Sequence, residues 1–290
     1  MPLFSINDKL FKFQYARIIL ILIFLLQIIG CSKPNIREFK QMPVPEDARV
    51  LSQTPGETGG IFIQSEAGEL ATLNPLVASD ASSGAAIGLL LGALTSYDWV
   101  KGEVIPGLAK SWDIGKDQKT FTFHLRKGVF WSDGAPFSAD DIIFSYKCYY
   151  DDRFPNRTKF FLTIEGEPCK IEKLDDYTVR ITSPVVYAPF LSFVAGVSIL
   201  PKHKLQNAFN EGTLLKEWSI STAKNNPEDI ISLGPCVLHS YRPGERIVYA
   251  RNPNYYVIDK NTTRLPYIDY IIAKMVSDTN TMTVVFAQGQ

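Results

Sequence analysis

The sequence PGLAKSWDIGKDQKTFTFHLRKGVFWSDGAPFSADD at residues 106–141 carries the clearest structural pattern of the chain. Apolar and polar residues alternate from Thr120 to Arg126, with Phe121, Phe123 and Leu125 on one face. Successive side chains of a strand point to opposite faces of the sheet, so this alternation predicts a strand covered on one side only. Lys127-Gly128 then opens a turn, and Trp131 precedes a second turn at Ser132-Asp133-Gly134.

The end of this segment predicts a helix start. Ser138-Ala139-Asp140-Asp141 has the form of a capping box, and we expect the helix to run to about Tyr150. Negative charge in a first helical turn complements the helix dipole. Asp140 and Asp141 therefore have a structural explanation, as do Asp175 and Asp176 in a hairpin turn, and neither pair is predicted to be catalytic.

Outward from this segment, strands and helices mix without a fixed repeat, which indicates an α/β class with a mixed sheet, or α+β. Ile61–Ile63 reads as a buried strand that ends in polar residues, and a small-residue loop at 77–83 leads into a helix near Gly84–Leu94. Further predictions are hairpins at 169–182 and 234–251, a short strand at 198–203, a strand at 268–275, and helices at 190–194, 204–212 and 279–287.

Composition excludes several classes of function. The chain has 290 residues with 30 Lys+Arg against 30 Asp+Glu and 46% hydrophobic residues, which is typical of a globular protein. It has no basic run, so we expect no nucleic-acid partner. The chain has no P-loop, no G-x-S-x-G elbow and no metal-binding spacing among His124, His203 and His239. No catalytic residue, metal or cofactor is predicted, and the protein is not expected to be an enzyme.

The N-terminal segment has the pattern of a bacterial targeting signal. Residues 1–17 carry Lys9, Lys12 and Arg17 against Asp8, and an apolar run of about 12 residues follows at 18–29. That run spans about 18 Å as a helix, short of the roughly 30 Å hydrocarbon core. Ile28-Ile29-Gly30-Cys31 resembles a lipobox, which predicts a signal at 1–30 and lipidation of Cys31; the alternative is an ordinary secretory signal or short anchor with a chance cysteine.

Residues 31–57 mix proline and charge with few large apolar side chains, so we expect a tether between the lipid and the folded part. The protein would then be lipid-anchored at the periplasmic or extracytoplasmic face of the membrane. The other cysteines, Cys148, Cys169 and Cys236, are odd in number and lack C-x-x-C spacing. Cys148 and Cys169 could pair, but three buried thiols are the favoured interpretation.

Several motifs together resemble the family 5 extracellular solute-binding proteins, the oligopeptide- and dipeptide-binding lipoproteins of ABC importers. They keep the family's order across residues 59–290. They are Leu73-Asn74-Pro75, PGLAKSW (106–112), KTFTFHLRKG (119–128), FWSDG (130–134), FSADD (137–141), ILPKH (199–203), Gly234-Pro235, ERIV (245–248), RNPNYY (251–256) and LPYID (265–269).

The resemblance implies a type II periplasmic-binding-protein-like fold that closes on its ligand between two lobes. Family members are about twice as long, and Phe286–Gln290 resembles the crossing into the second lobe. We therefore expect residues 58–290 to be the first lobe, with an inserted smaller subdomain at about 90–168 and the second lobe absent. The same family is known for peptides, nickel complexes and sugars, so the motifs do not name the solute.

Site residues follow from the resemblance by position. The loop Ser79-Asp80-Ala81-Ser82 matches the segment whose backbone contacts ligand in peptide binders. This agrees with the free N–H groups that a helix start offers. Tyr255 is a further candidate near the cleft and hinge, Trp131 is expected to pack beneath its turn, and Cys236 departs from the family's usual Tyr.

The predicted function is a monomeric lipoprotein that captures peptides or another small solute for an ABC permease. The alternative is a truncated or degenerate surface lipoprotein that acts as an interaction module without transport.

Overall fold

The computed structural model describes residues 40–195, 197–276, 281–283 and 287. The predicted signal, Cys31 and most of the Phe286–Gln290 crossing lie outside these residues.

The strands are β1 Arg49–Val50, β2 Ile61–Ala67, β3 Thr95–Asp98, β4 Glu103–Pro106, β5 Ala109–Ile114, β6 Thr120–Leu125, β7 Thr163–Ile164, β8 Glu167–Pro168, β9 Lys170–Asp175, β10 Thr178–Thr182, β11 Cys236–Arg242, β12 Arg246–Arg251, β13 Val257–Ile258 and β14 Tyr270–Val276. The helices are α1 Ala81–Leu90, α2 Ala139–Tyr150, α3 Arg157–Leu162, α4 Phe190–Ala195, α5 Lys202–Glu211 and α6 Ile220–Asn225, with 3₁₀ turns at Leu214–Lys216 and Pro227–Asp229.

Two four-stranded sheets organise the described residues, so the predicted mixed α/β class is confirmed. The first sheet has the order β5-β6-β10-β9 and is antiparallel throughout. The second has the order β11-β12-β14-β2, with β2 parallel to β14. Strands β9 and β10, which complete the first sheet, lie at residues 170–182. The expected inserted subdomain at about 90–168 stays a prediction.

The segment at 106–141 folds as its pattern predicts. Phe121, Phe123 and Leu125 of β6 are buried and Trp131 lies at 0% exposure beneath its turn. Ser138 caps α2, and the Asp141 side chain accepts a hydrogen bond from the Ser138 backbone N–H at 3.0 Å. Asp175 likewise ends β9 at the predicted hairpin turn. The capping box and the hairpin turn depend on neighbours within a few residues, which is why local pattern suffices to find them.

Residues 42–51, which lie inside the tether expected at 31–57, pack against the folded body. β1 pairs in parallel with β13, from Arg49 opposite Val257 to Val50 opposite Ile258. The Arg264 guanidinium donates to the carbonyls of Met42 and Pro43, and Arg126 Nη1 donates to the Asp47 carbonyl at 2.6 Å. Buried arginines thus satisfy a backbone that has little sheet pairing of its own. We call residues 42–51 the N-terminal strap.

Two strand predictions are also corrected. Ile61, Phe62 and Ile63 do begin a strand, but they are 57%, 49% and 53% exposed, so this end of β2, at the edge of its sheet, is not buried among the described residues. The predicted strand at 198–203 is absent. Ile199 N–H donates to the Gly92 carbonyl and Leu200 N–H donates to Ser145 Oγ, so neither N–H takes part in β-sheet hydrogen bonding. In addition, α5 already begins at Lys202.

The three cysteines of the described residues are free and buried, which confirms the favoured interpretation. Burial raises the pKa of the Cys148 and Cys236 thiols to about 12. These thiols are therefore protonated at neutral pH and serve as small apolar side chains. No helix within the described ranges is long and apolar enough to cross a membrane.

Candidate binding cleft

A cleft of about 900 Å³ opens beside α1. Its walls come from α1, from the β3–β4 hairpin, from α3 and α4, and from the chain at Gly234-Pro235 and Tyr255-Tyr256. The lining side chains are apolar, aromatic or hydroxyl-bearing. Among the described residues that line it there is no Asp, Glu, Lys, Arg or His.

The floor of the cleft is one face of α1. Asp80 caps this helix by accepting from the Ser83 N–H at 2.8 Å, and Ser83 Oγ in turn accepts from the N–H groups of Ala71 and Thr72. Gly84 and Gly88, one helical turn apart, both line the cleft, and a Cβ added at either would meet nothing within 4 Å. The helix backbone is therefore open to a ligand along this face.

The predicted ligand loop Ser79–Ser82 borders the cleft without lining it. Pro75 and Ala78, which precede the loop, are lining residues, whereas the four predicted residues are not. Ser82 is buried and donates to Glu66, and Asp80 is used as the helix cap. The structure thus gives two of these side chains a role in the fold, and backbone contact between this loop and a ligand stays a prediction.

Tyr255, the other predicted residue, does line the cleft, together with Tyr256. Their ring centroids lie 4.9 Å apart, and the Arg126 guanidinium lies 5.6 Å from the Tyr256 ring centroid. Burial raises the pKa of both hydroxyls. Tyr149 on the same cleft donates to the Ser198 carbonyl, and burial raises its pKa too. Tyr149, Tyr255 and Tyr256 therefore stay neutral at neutral pH and add no charge to the cleft.

Sequence reasoning missed Tyr97 and Trp99. Both line the cleft from the β3–β4 hairpin, with ring centroids 4.8 Å apart and ring planes at 69°. Trp99 and Val100 are 87% and 97% exposed. An available signal was the apolar pair Trp99-Val100 between Asp98 and Gly102, because turns favour polar residues and glycine.

The cleft lining carries groups that can hold a ligand. Two of the three histidines are paired with carboxylates outside the cleft lining, His124 with Asp113 at 2.8 Å and His203 with Asp133 at 2.7 Å. No group of three or more metal-ligating side chains occurs in the described part of the chain. The cleft residues offer apolar area, ring faces and hydroxyl groups, and these suit a small organic ligand.

Comparison with known proteins identifies the chain. The profile described as "Bacterial extracellular solute-binding proteins, family 5 Middle" matches residues 103–290. The chain belongs to this family. A probable ABC transporter-binding protein of Deinococcus radiodurans is 32% identical over 255 residues, 85% of this chain and 42% of the relative. Di/tripeptide-binding protein 1 of Pseudomonas aeruginosa is 33% identical over 190 residues, 61% of this chain and 34% of that protein.

A solved structure supports the fold. The periplasmic binding protein DppA of Helicobacter pylori, in complex with the peptide STSA, superimposes with a TM-score of 0.67 at 24% identity and covers 80% of this chain and 46% of its own. The family 5 chain described here therefore has a type II periplasmic-binding-protein fold in part, as predicted. It spans less than half the length of these relatives.

Proposed function

We propose that this protein is the solute-binding component of an ABC importer and that the cleft beside α1 is one side of its ligand site. The observation that carries the proposal is the cleft itself. It has a volume of about 900 Å³, its lining is uncharged and largely apolar, and one face of α1 is open to it. Such a surface holds the body of a small ligand, while a second lobe in the whole protein covers it. Peptides are the favoured solutes, and the relatives named for peptides support this choice.

The proposal extends to location and partners. Lipidation at Cys31 anchors the protein at the periplasmic or extracytoplasmic membrane face, residues 31–41 form the tether, and an ABC permease receives the solute. The lipobox-like sequence Ile28–Cys31 supports the anchor. Two or more acyl chains bind a bilayer firmly, since each buried CH₂ contributes about 0.8 kcal/mol. The protein acts as a monomer.

A cleft-filling substitution tests the binding site. Gly88→Leu places a side chain into the cleft at a position where an added Cβ meets nothing within 4 Å. Glycine inside a helix costs about 1 kcal/mol relative to a good helix former, so stability should be unchanged or slightly higher. In calorimetry with Ala-Ala-Ala and other short peptides, the protein expressed from its own gene should lose at least about 10-fold in affinity on this change.

The matched control is Asn207→Leu, which adds the same side chain at an exposed position of α5 outside the cleft lining. It should leave affinity unchanged. Equal peptide affinity in Gly88→Leu and wild type would place the ligand elsewhere.

The lipid anchor has a separate test. Cys31→Ser removes the thiol that would carry the lipid, so the protein should move from the membrane fraction to the soluble fraction of cells. Metabolic labelling with a fatty acid should mark wild type alone. A Cys31→Ser protein that stays with membranes as well as wild type does would contradict lipidation.

A further inference from the structure

We propose that Tyr97 and Trp99 form an aromatic platform that selects neutral peptides carrying an aromatic or large apolar side chain. This inference rests on the proposed function, because it assigns specificity to the same cleft. It differs from the family resemblance in its residues, which lie on the β3–β4 hairpin and not on the loop at 79–82.

The first step is the position of the two rings. Isolated exposed aromatic residues are common on protein surfaces, so the exposure of Trp99 alone indicates nothing. Trp99 and Tyr97, however, both line the cleft, and the two rings pack edge to face with their centroids 4.8 Å apart. Together they offer a ring face to whatever occupies the cleft.

The second step is the rigidity of the hairpin tip. Asp98 Oδ1 accepts from the N–H groups of Val100 and Lys101 at 3.0 and 3.1 Å, and Gly102 N–H donates to the Asp98 carbonyl at 2.7 Å. Gly102 has a φ of +70°, which glycine adopts without strain. Thr95 Oγ1 ties the hairpin to the Leu191 carbonyl of α4 at 3.1 Å. These bonds hold the hairpin backbone, which therefore loses little conformational entropy when a ligand binds.

The third step is the absence of charge. The described lining residues include no ionisable side chain apart from tyrosines, and burial raises the pKa of Tyr149, Tyr255 and Tyr256. A charged ligand side chain placed against this wall would lose water without gaining a partner. A sugar would leave hydroxyl groups short of partners wherever they face the apolar part of the lining. A flat apolar side chain has neither cost, and it stacks on the rings.

The experiment measures peptide affinity by calorimetry for the protein expressed from its own gene. The probes are Ala-Ala-Ala, the three tripeptides with one Phe among Ala residues, Ala-Lys-Ala, Ala-Glu-Ala and the neutral trisaccharide raffinose. We expect at least one Phe peptide to bind roughly 10-fold tighter than Ala-Ala-Ala, and Trp99→Ala to abolish that preference. Affinity for Ala-Ala-Ala should change by less than about 2-fold, and Trp99→Phe should restore most of the preference.

The matched control is Phe160→Ala, which removes an aromatic side chain that is 78% exposed but does not line the cleft. It should leave the preference intact. A second readout is acrylamide quenching, taken as the difference between wild type and Trp99→Phe. Trp99 should be open to quencher in the free protein and shielded when a Phe peptide is bound.

Each other outcome overturns the platform. Three outcomes would contradict the platform while leaving solute binding in place. They are peptide binding without a Phe preference, an unchanged preference in Trp99→Ala, and a Trp99 that is already shielded from quencher in the free protein. Binding of raffinose alone would make the solute a sugar. Failure of every probe to bind would remove the proposed peptide function together with this inference.

Discussion

Two neighbouring carboxylates show how much the surroundings of a residue decide its role. Asp140 is half-exposed and forms ion pairs with Lys173 and Lys202 at 3.0 and 3.3 Å. Asp141 is buried and accepts from the N–H groups of Ser138 and Lys202, both at 3.0 Å. Burial raises the pKa of Asp141, whereas the ion pair with Lys173 lowers that of Asp140.

We therefore predict different costs for the same substitution at adjacent positions. Asp141 also accepts from the Trp131 indole N–H at 3.4 Å. Asp141→Ala leaves these three donors without their acceptor and removes half of the capping box, so the free energy of unfolding should fall by about 2–4 kcal/mol. Asp140→Ala, the control, should cost less than about 1 kcal/mol because exposed ion pairs contribute little. Urea unfolding measures both, and equal losses would contradict this account of the capping box.

The raised pKa of Asp141 also predicts a pH dependence. At pH values between the unfolded pKa and the folded pKa, the folded protein holds a proton that the unfolded chain has lost. The Asp141 contribution to stability is thus fully present below the pKa that Asp141 has in the unfolded chain. It declines as pH rises through the pKa that Asp141 has in the folded protein. The difference in unfolding free energy between wild type and Asp141→Asn should follow this decline, and a difference that grows with pH would contradict it.

At the scale of elements, sequence predicts what neighbours along the chain decide and misses what distant residues decide. The alternation at Phe121–Leu125 and the capping box at Ser138 are local, and both were predicted. The N-terminal strap has the composition of a linker, and its partners Asn254 and Arg264 lie more than 200 residues away. No local pattern reports such partners.

Arg264 should be the residue on which the strap depends. Its guanidinium binds the carbonyls of Met42, Pro43 and Pro253, and the side chain is buried. Arg264→Ala leaves these carbonyls unpaired, so we expect a loss of about 2–4 kcal/mol in unfolding free energy and rapid tryptic cleavage after Arg49. Arg242→Ala removes an exposed arginine and should do neither. A strap that stays resistant to trypsin in Arg264→Ala would show that β1 pairing with β13 suffices.

At the scale of the whole molecule, the cleft combines residues that no single motif contains. Tyr255 was predicted from a motif that resembles the family's, and it lines the cleft. Gly88 and Trp99 lie on separate elements whose juxtaposition depends on tertiary packing, such as the hydrogen bond from Thr95 to Leu191. Of the residues that line the cleft, the motif gave Tyr255, whose contact with a ligand stays a prediction, and the opposing walls required the structure.

The edge strand β2 carries the last prediction. It pairs with β14 on one side only, and its exposed Ile61, Phe62 and Ile63 form an apolar edge within the described residues. Such an edge is a template for pairing with another strand. We expect the 290-residue chain, expressed alone, to be monomeric when dilute and to self-associate at high concentration. Phe62→Lys should weaken that association by at least about 10-fold in sedimentation velocity, because a charge on an edge strand opposes pairing.

Phe160→Lys is the matched control, since it makes the same change of charge at an exposed phenylalanine that lies on α3 and not on β2. If both variants weaken association equally, net charge and not the β2 edge controls it. If only Phe62→Lys does, the edge is an apolar surface that the isolated chain leaves open. A longer protein of this family could then cover the same surface with its own chain, because such a strand joins through backbone hydrogen bonds and apolar contact alone.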